Sequence, residues 1–164
     1  MGSSAKIPMK FNDHLIVLFT IIFGFLLDDY LNQFTIKYSL EVNFGFLIFS
    51  YWVFAMPEKI QTLAAMLYGM IIDLFFSNVI GFNMVFFVAT SYIIHLYVFR
   101  FRIFSYFQLS VFFSASSSFY IACKYLLLSP INYSYFVLIF SFVMNAILWI
   151  GIYIMMRNFR RKIF

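Results

Sequence analysis

The sequence has very few charged residues. Only 10% of its 164 residues are Asp, Glu, Lys or Arg, compared with about 25% in an ordinary soluble domain. Hydrophobic residues make up 65% of the chain. A chain of this length folded in water has too little interior to bury so much apolar surface. The composition therefore excludes an ordinary soluble globular fold.

Cysteine is scarce, and the common catalytic motifs are missing. The single Cys123 permits neither an internal disulfide nor a cysteine metal cluster. There is no His-Glu-x-x-His motif, no phosphate-binding glycine loop and no EF-hand pattern. Ser91 and His95 are one helical turn apart, but nothing beside them supplies an orienting acid or oxyanion donors. We therefore expect no catalytic, cofactor-binding or metal site, and no enzyme activity.

What the sequence does have is long apolar runs. A helix needs about 20 residues to cross the hydrocarbon core, whereas a transmembrane barrel shows short alternating segments. Helices also satisfy every backbone polar group in lipid. The runs predict an all-α integral membrane protein that forms a single domain over residues 1–164. We predict six transmembrane helices, at residues 12–30, 40–56, 60–76, 82–99, 106–128 and 133–156.

The basic residues are distributed unevenly between the predicted spans. Only Lys37 and Lys124 lie toward one side. By the positive-inside rule, the other side is cytoplasmic, so both termini lie there and the number of crossings is even. A re-entrant hairpin in place of the short spans two and three stays open, and this arrangement keeps the same sidedness. This distribution also explains the basic charge without nucleic acid. The nine basic residues on the cytoplasmic side are Lys6, Lys10, Lys59, Arg100, Arg102, Arg157, Arg160, Arg161 and Lys162.

A few polar residues fall within the apolar runs. Ala65, Gly69 and Asp73 recur every four residues and share one helix face, where small residues let another helix approach closely. We expect this face to make a tight helix contact in which a neighbour or interfacial water satisfies the carboxyl, with a partner or ligand contact as the alternative. Lys124 either pairs with Asp73 or extends to the outer interface, and the second is favoured. Asn145, near the middle of the sixth span, predicts an interhelical hydrogen bond.

Two regions carry a pattern of short motifs. A Tyr-Trp pair and a proline close the second span, Gly-x-x-x-Asp-Leu ends the third, and a glycine opens the fourth. The last span adds an asparagine and a tryptophan before a basic tail. Over residues 41–81 and 142–162 this pattern resembles the bacterial rod shape-determining protein MreD family. The residues that carry the resemblance or the predicted packing face are Tyr51, Trp52, Pro57, Ala65, Gly69, Asp73, Gly81 and Asn145.

The resemblance implies a function and a fold. It implies a non-enzymatic scaffold of the cell-elongation complex, or elongasome, in the bacterial cytoplasmic (inner) membrane. Such a scaffold maintains rod shape by binding MreC, in a complex with MreB and the RodA–transpeptidase pair that makes lateral-wall peptidoglycan. The implied fold is similar to the six-helix substrate-binding subunits of energy-coupling-factor transporters.

Other functions stay open at this point. One is the substrate-binding subunit of such a small-molecule transporter, and another is a small membrane protein of a different kind, such as an enzyme subunit. Partner contacts are expected at the face of Ala65, Gly69 and Asp73 or at the polar segment 28–43. The basic tail either contacts anionic membrane lipid or only sets the topology, and the sequence is compatible with both.

Overall fold

The computed structural model describes residues 11–76, 79–128 and 134–163, and the regular secondary structure in these ranges is helical. The prediction of an all-α chain is confirmed, and each predicted span coincides with one helix. Lys6, Lys10 and Tyr133 lie outside the described residues. The helices are α1 (Phe11–Thr35), α2 (Phe44–Ala55), α3 (Thr62–Phe76), α4 (Phe82–Phe101), α5 (Tyr106–Leu128) and α6 (Tyr135–Ile163), with a 3-10 turn at Ile36–Tyr38.

The helices differ in length. Within the described ranges α1, α4 and α6 are long and apolar enough to cross a membrane, which fits a membrane protein. Helices α2 and α3 have 12 and 15 residues, so they extend about 18 and 22 Å at 1.5 Å per residue. The hydrocarbon core is about 30 Å thick. These two helices are therefore too short to cross it completely by themselves.

The polar segment 28–43, which begins at the end of the first predicted span, is mostly helical. Helix α1 continues to Thr35, and the 3-10 turn follows it. Within this helix the Thr35 hydroxyl donates to Asn32 Oδ1 over 3.3 Å. Conversely, α2 begins at Phe44, later than predicted, because residues 41–43 are not helical.

The chain reverses direction at each helix. The pairs α1–α2, α3–α4 and α5–α6 make the most extensive contacts between helices. The ends of α1, α3 and α5 therefore lie beside the beginnings of α2, α4 and α6. We call this the cavity end, because a polar cavity described below lies there. At the opposite, basic end, the Arg160 guanidinium donates to Ala55 O over 2.8 Å, and Arg157 donates to the Tyr106 hydroxyl over 3.3 Å. The last helix thus closes the basic end of the bundle.

Aromatic rings fill the core. Phe49 stacks on Phe87 with 3.8 Å between ring centroids, and Phe113 stacks on Trp149 at 4.0 Å. All four side chains are buried. Large apolar side chains also cover the outward faces of the bundle, for example Phe19. An apolar exterior around a packed interior is the arrangement expected of a protein surrounded by lipid.

Candidate functional site

Asp73 joins the end of α3 to the beginning of α4. Its side chain is buried and accepts backbone N–H groups from Gly81 at 3.0 Å, Asn83 at 2.9 Å and Met84 at 3.0 Å. It also accepts the Asn83 side-chain amide at 3.0 Å. The first N–H groups of a helix have no partner within it, and a negative charge there is favoured by the helix dipole. From the neighbouring helix α3, Asp73 therefore supplies hydrogen-bond acceptors to the N–H groups at the start of α4.

Glycines make this close approach possible. A Cβ at Gly69 would lie 2.5 Å from Met84 Cα, so any larger residue would push α3 and α4 apart. Gly81 precedes α4 with φ +97°, a conformation that other residues rarely adopt. Ala65 is fully buried on the same face of α3. The face of Ala65, Gly69 and Asp73 thus packs inside the molecule.

The same arrangement recurs between α1 and α2. Buried Asp28 accepts the N–H groups of Phe44 at 2.5 Å and Gly45 at 2.9 Å. A Cβ at Gly24 would lie 2.8 Å from Gly45 Cα. Asp28, the first residue of the predicted polar segment, is therefore a second interhelical cap. The sequence indicates this role through the spacing of Asp28 from Gly24, because Gly24-x-x-x-Asp28 repeats Gly69-x-x-x-Asp73.

The 41–43 segment is buried although it is not helical, and α6 holds one part of it. Glu41 N–H donates to the Ser141 hydroxyl over 2.8 Å, and Asn145 Nδ2 donates to Glu41 O over 3.2 Å. Asn43 N–H donates to Asn145 Oδ1 over 3.1 Å. Asn145 therefore bonds to the non-helical backbone that precedes α2. The prediction for Asn145 was a hydrogen bond to another helix.

Helix α1 holds the rest of this segment. Asn32 Oδ1 accepts Val42 N–H at 2.9 Å, and Asn32 Nδ2 donates to Val42 O at 3.0 Å. Asn43 O accepts from Leu47 N–H at the start of α2. All backbone N–H and C=O groups of residues 41–43 thus have partners. Complete satisfaction of this kind is what irregular backbone at membrane depth requires.

Lys124 pairs with Glu41, not with Asp73. Its Nζ lies 2.8 Å from Glu41 Oε1, and the Glu41 side chain is 7% exposed while that of Lys124 is 44% exposed. The favoured prediction for Lys124, extension to the outer interface, therefore needs correction. The partner comes from the 41–43 segment because α6 and α1 fix this segment beside α5.

A polar cavity of about 90 Å³ lies at this end of the bundle. Tyr120 spans part of it, with its hydroxyl donating to Asn83 Oδ1 over 2.6 Å. Among the described residues, the buried Asn43 Nδ2 has no hydrogen-bond partner. The polar side chains that line the cavity are Asp28, Asp29, Asn32, Glu41, Asn43, Asn83, Tyr120 and Lys124.

The other motif residues lie away from this cavity. Trp52 is fully buried and donates its Nε1–H to the Thr20 hydroxyl over 2.8 Å. Tyr51 packs edge-to-face on Tyr153, with centroids 5.8 Å apart. Pro57 begins the turn after α2, at the basic end. The structure therefore divides the motif residues into a packing cluster and a set at the cavity end.

The Ser91 hydroxyl lies 3.4 Å from His95 Nδ1, at the long limit of a hydrogen bond. His95 Nδ1 lies 2.6 Å from Ser91 O, and its Nε2 lies 2.7 Å from Pro57 O. Both ring nitrogens thus face backbone carbonyls, and the ring links α4 to the turn after α2. Within the described ranges, no group of three or more His, Cys, Asp or Glu residues is placed to hold a metal ion.

Comparisons with known proteins identified no relative of this chain. No protein-family model, curated protein or solved structure matches the chain.

Proposed function

We propose that this protein is a non-enzymatic membrane scaffold of the MreD type, acting in the cell-elongation complex. The observation that carries the proposal is the role of Asp73. Its carboxylate accepts four hydrogen bonds that join α3 to α4. The Gly-x-x-x-Asp motif, which carries much of the resemblance, thus holds α3 and α4 in a fixed arrangement. A rigid shape is what a scaffold offers to its partners.

We propose the exposed end of α1 as the contact for MreC. Helix α1 has 25 residues and is about 37 Å long, which exceeds the roughly 30 Å of hydrocarbon. Near its end Tyr30 and Phe34 are 63% and 55% exposed, and Tyr38, in the 3-10 turn that follows, is 77% exposed. Aromatic side chains are favoured both at membrane interfaces and at protein contacts. The predicted face of Ala65, Gly69 and Asp73 is covered by α4, so it is not proposed as the contact.

Co-purification tests this proposal. The full chain should retain an MreC protein from its own genome after detergent extraction. Phe34→Glu should lower the amount retained while membrane levels stay unchanged. Phe107→Glu, which changes a phenylalanine that is 74% exposed at the basic end of α5, is the control. If both variants retain equal amounts of MreC, the exposed end of α1 is not the contact.

Cell shape tests the scaffold role itself. Depleting the chain in a rod-shaped host should produce spherical cells, because lateral-wall synthesis would lose its scaffold. Restoring the wild-type chain should restore rods. Depleted cells that keep their length and width would contradict the proposal.

The cavity favours one second candidate, the substrate-binding subunit of an energy-coupling-factor-type transporter. Polar side chains from α1, α4 and α5 converge on it. Its volume of about 90 Å³ is well below the roughly 300–1,000 Å³ of typical ligand pockets. Only a small substrate would therefore fit. Co-purification of a transporter ATPase with the tagged chain would favour this candidate over the scaffold.

A further inference from the structure

A lateral slot of about 230 Å³ opens at the basic end, between the start of α5 and the second half of α6. We call it the α6 slot. Ile150 and Ile154 on its wall are 43% and 56% exposed, so the slot lies on the outward surface that lipid surrounds. From Trp149 to Arg157 the helix rises about 12 Å, and the slot extends over this length from the basic end. The residues that line it are Tyr106, Trp149, Ile150, Tyr153, Ile154 and Arg157.

The mouth of the α6 slot is positively charged. Arg161 follows Arg157 by four residues, so both lie on the same side of α6. Both guanidinium groups interact electrostatically with Tyr51, whose ring centroid lies 5.8 Å from that of the slot residue Tyr153. Arg157 donates to the Tyr106 hydroxyl, which leaves its charge in place and uses one of its five N–H groups. The guanidinium therefore has further donors for an anion.

The surroundings of the mouth do not neutralise this charge. Among the residues that the structure describes at the basic end, the acidic ones are Asp13 and Glu58. An anion is therefore the complement that the mouth attracts. Arginine in particular binds phosphate oxygens through two parallel N–H bonds. The described basic residues at this end are Lys59, Arg100, Arg102, Arg157, Arg160, Arg161 and Lys162.

A charged mouth above an apolar wall matches the order of groups in an anionic phospholipid. A soluble anion would leave the apolar wall unoccupied, and an uncharged hydrophobic compound would leave Arg157 without an opposite charge. A second groove, between α1 and α6, provides a contrast. The described residues that line it are apolar apart from Thr20. That groove offers contact to acyl chains but no charge that selects a headgroup.

We propose that the α6 slot binds one anionic phospholipid of the surrounding bilayer. Its phosphate lies against Arg157, with Arg161 adding to the attraction, and one acyl chain runs along Ile154 and Ile150. The aromatic side chain of Tyr106 borders the headgroup, as aromatic residues do at membrane interfaces. The site goes beyond the scaffold role and does not depend on it.

Tryptophan fluorescence tests the proposal, because Trp149 lines the slot and bromine atoms on an acyl chain quench nearby tryptophans. The full-length protein is placed in phosphatidylcholine nanodiscs that contain increasing fractions of brominated phosphatidylglycerol or brominated phosphatidylcholine. Half-maximal quenching should need about tenfold less of the phosphatidylglycerol, because the arginines at the mouth favour its charge. Trp52 bonds to Thr20 in the α1–α6 groove, so its quenching should not depend on the headgroup.

Variants distinguish a site from general attraction to the basic end. Arg157→Gln should lower the preference for phosphatidylglycerol about fivefold. Lys162→Gln removes the same charge from an exposed residue that lies about 140° away around the helix, and it should change the preference by less than about twofold. Arg161→Gln, at an exposed position on the side of Arg157, should also lower the preference, so the test does not depend on the folding of one variant.

Three results would overturn the proposal. Equal quenching by the two brominated lipids would show that the slot does not select an anionic headgroup. Equal losses in Arg157→Gln and Lys162→Gln would show diffuse attraction without a site. Relief of quenching by glycerol phosphate, the soluble headgroup fragment, would show a site for a soluble anion. The MreC contact proposed above lies at the opposite end of the bundle, so its test is independent of these results.

Discussion

At the scale of single residues, Asp28 and Asp73 have the same task. Each is buried, and each accepts the N–H groups that begin the next helix. In lipid these groups have no water to bond, so leaving them without a partner is costly. A carboxylate from the preceding helix supplies both the acceptors and a charge that the helix dipole favours.

Replacing Asp73 by Asn should destabilise the protein by about 2–4 kcal/mol. The amide keeps one acceptor oxygen, but its NH₂ group faces the backbone donors at the start of α4 and leaves them unsatisfied. Thermal unfolding of the purified protein in detergent measures the loss. Asp29→Asn, at an exposed position, is the control and should change stability by less than about 0.5 kcal/mol. Equal stability of the two variants would contradict the role of Asp73.

The Glu41–Lys124 pair should show coupling in a double-mutant cycle. Because the Lys124 side chain is 44% exposed, solvent screens the pair, and we expect about 0.5–1 kcal/mol of coupling. Glu41→Gln and Lys124→Met would be measured singly and together by thermal unfolding. The same cycle between Asp73→Asn and Lys124→Met should be additive. Coupling to Asp73 in place of Glu41 would show that the pairing is wrong.

At the scale of elements, glycines set the distance between the helices of two hairpins. Gly24 and Gly69 each lie against the backbone of the following helix, at Gly45 and Met84. In lipid there is little hydrophobic drive between helices, so close backbone packing and hydrogen bonds stabilise their association. The glycine and the aspartate one turn later thus act together. The glycine permits the approach that the carboxylate needs.

A matched pair of glycine substitutions tests this packing. Gly69→Ala should cost about 1–3 kcal/mol, because the new Cβ would lie 2.5 Å from Met84 Cα and the helices must separate. At Gly151 nothing lies within 4 Å of an added Cβ. Gly151→Ala should therefore be neutral or stabilise by up to about 1 kcal/mol through helix propensity. Thermal unfolding in detergent compares them, and equal losses would contradict the packing role of Gly69.

At the scale of the whole molecule, charge separates the two ends. The described basic residues at the basic end include Lys59, Arg100, Arg102 and Arg160, whereas the cavity end has Lys37 and Lys124. By the positive-inside rule, we predict that the basic end lies in the cytoplasm. On this prediction, the polar cavity and the exposed end of α1 lie on the opposite side of the membrane.

Cysteine labelling checks this orientation. In a Cys123→Ser background, Tyr38→Cys should react with a membrane-impermeant maleimide in intact spheroplasts. Glu58→Cys, at an exposed position of the basic end, should react only after permeabilisation. The reverse pattern would invert the orientation, and labelling of both would contradict six crossings.

The helical segments were predictable because each helix satisfies its own backbone locally, so an apolar run of sufficient length is enough. The close packing at Gly69 was also foreseeable, since four-residue spacing alone places Ala65, Gly69 and Asp73 on one face. The second cap at Asp28 was accessible through the repeated Gly-x-x-x-Asp spacing. It was missed because adjacent acidic residues after an apolar run also suggest the beginning of a loop.

The tertiary structure alone determined the cavity end. Glu41 bonds to Lys124, 83 positions later, and Glu41 O bonds to Asn145, 104 positions later. No local pattern encodes such partners, because they depend on which helices are neighbours and on how far each one extends. Burial of the non-helical residues 41–43 depends on these same distant side chains. The sequence by itself thus determined the helices and their charge asymmetry. Three-dimensional packing determined the position of the 41–43 segment, the Glu41–Lys124 pair and the cavity.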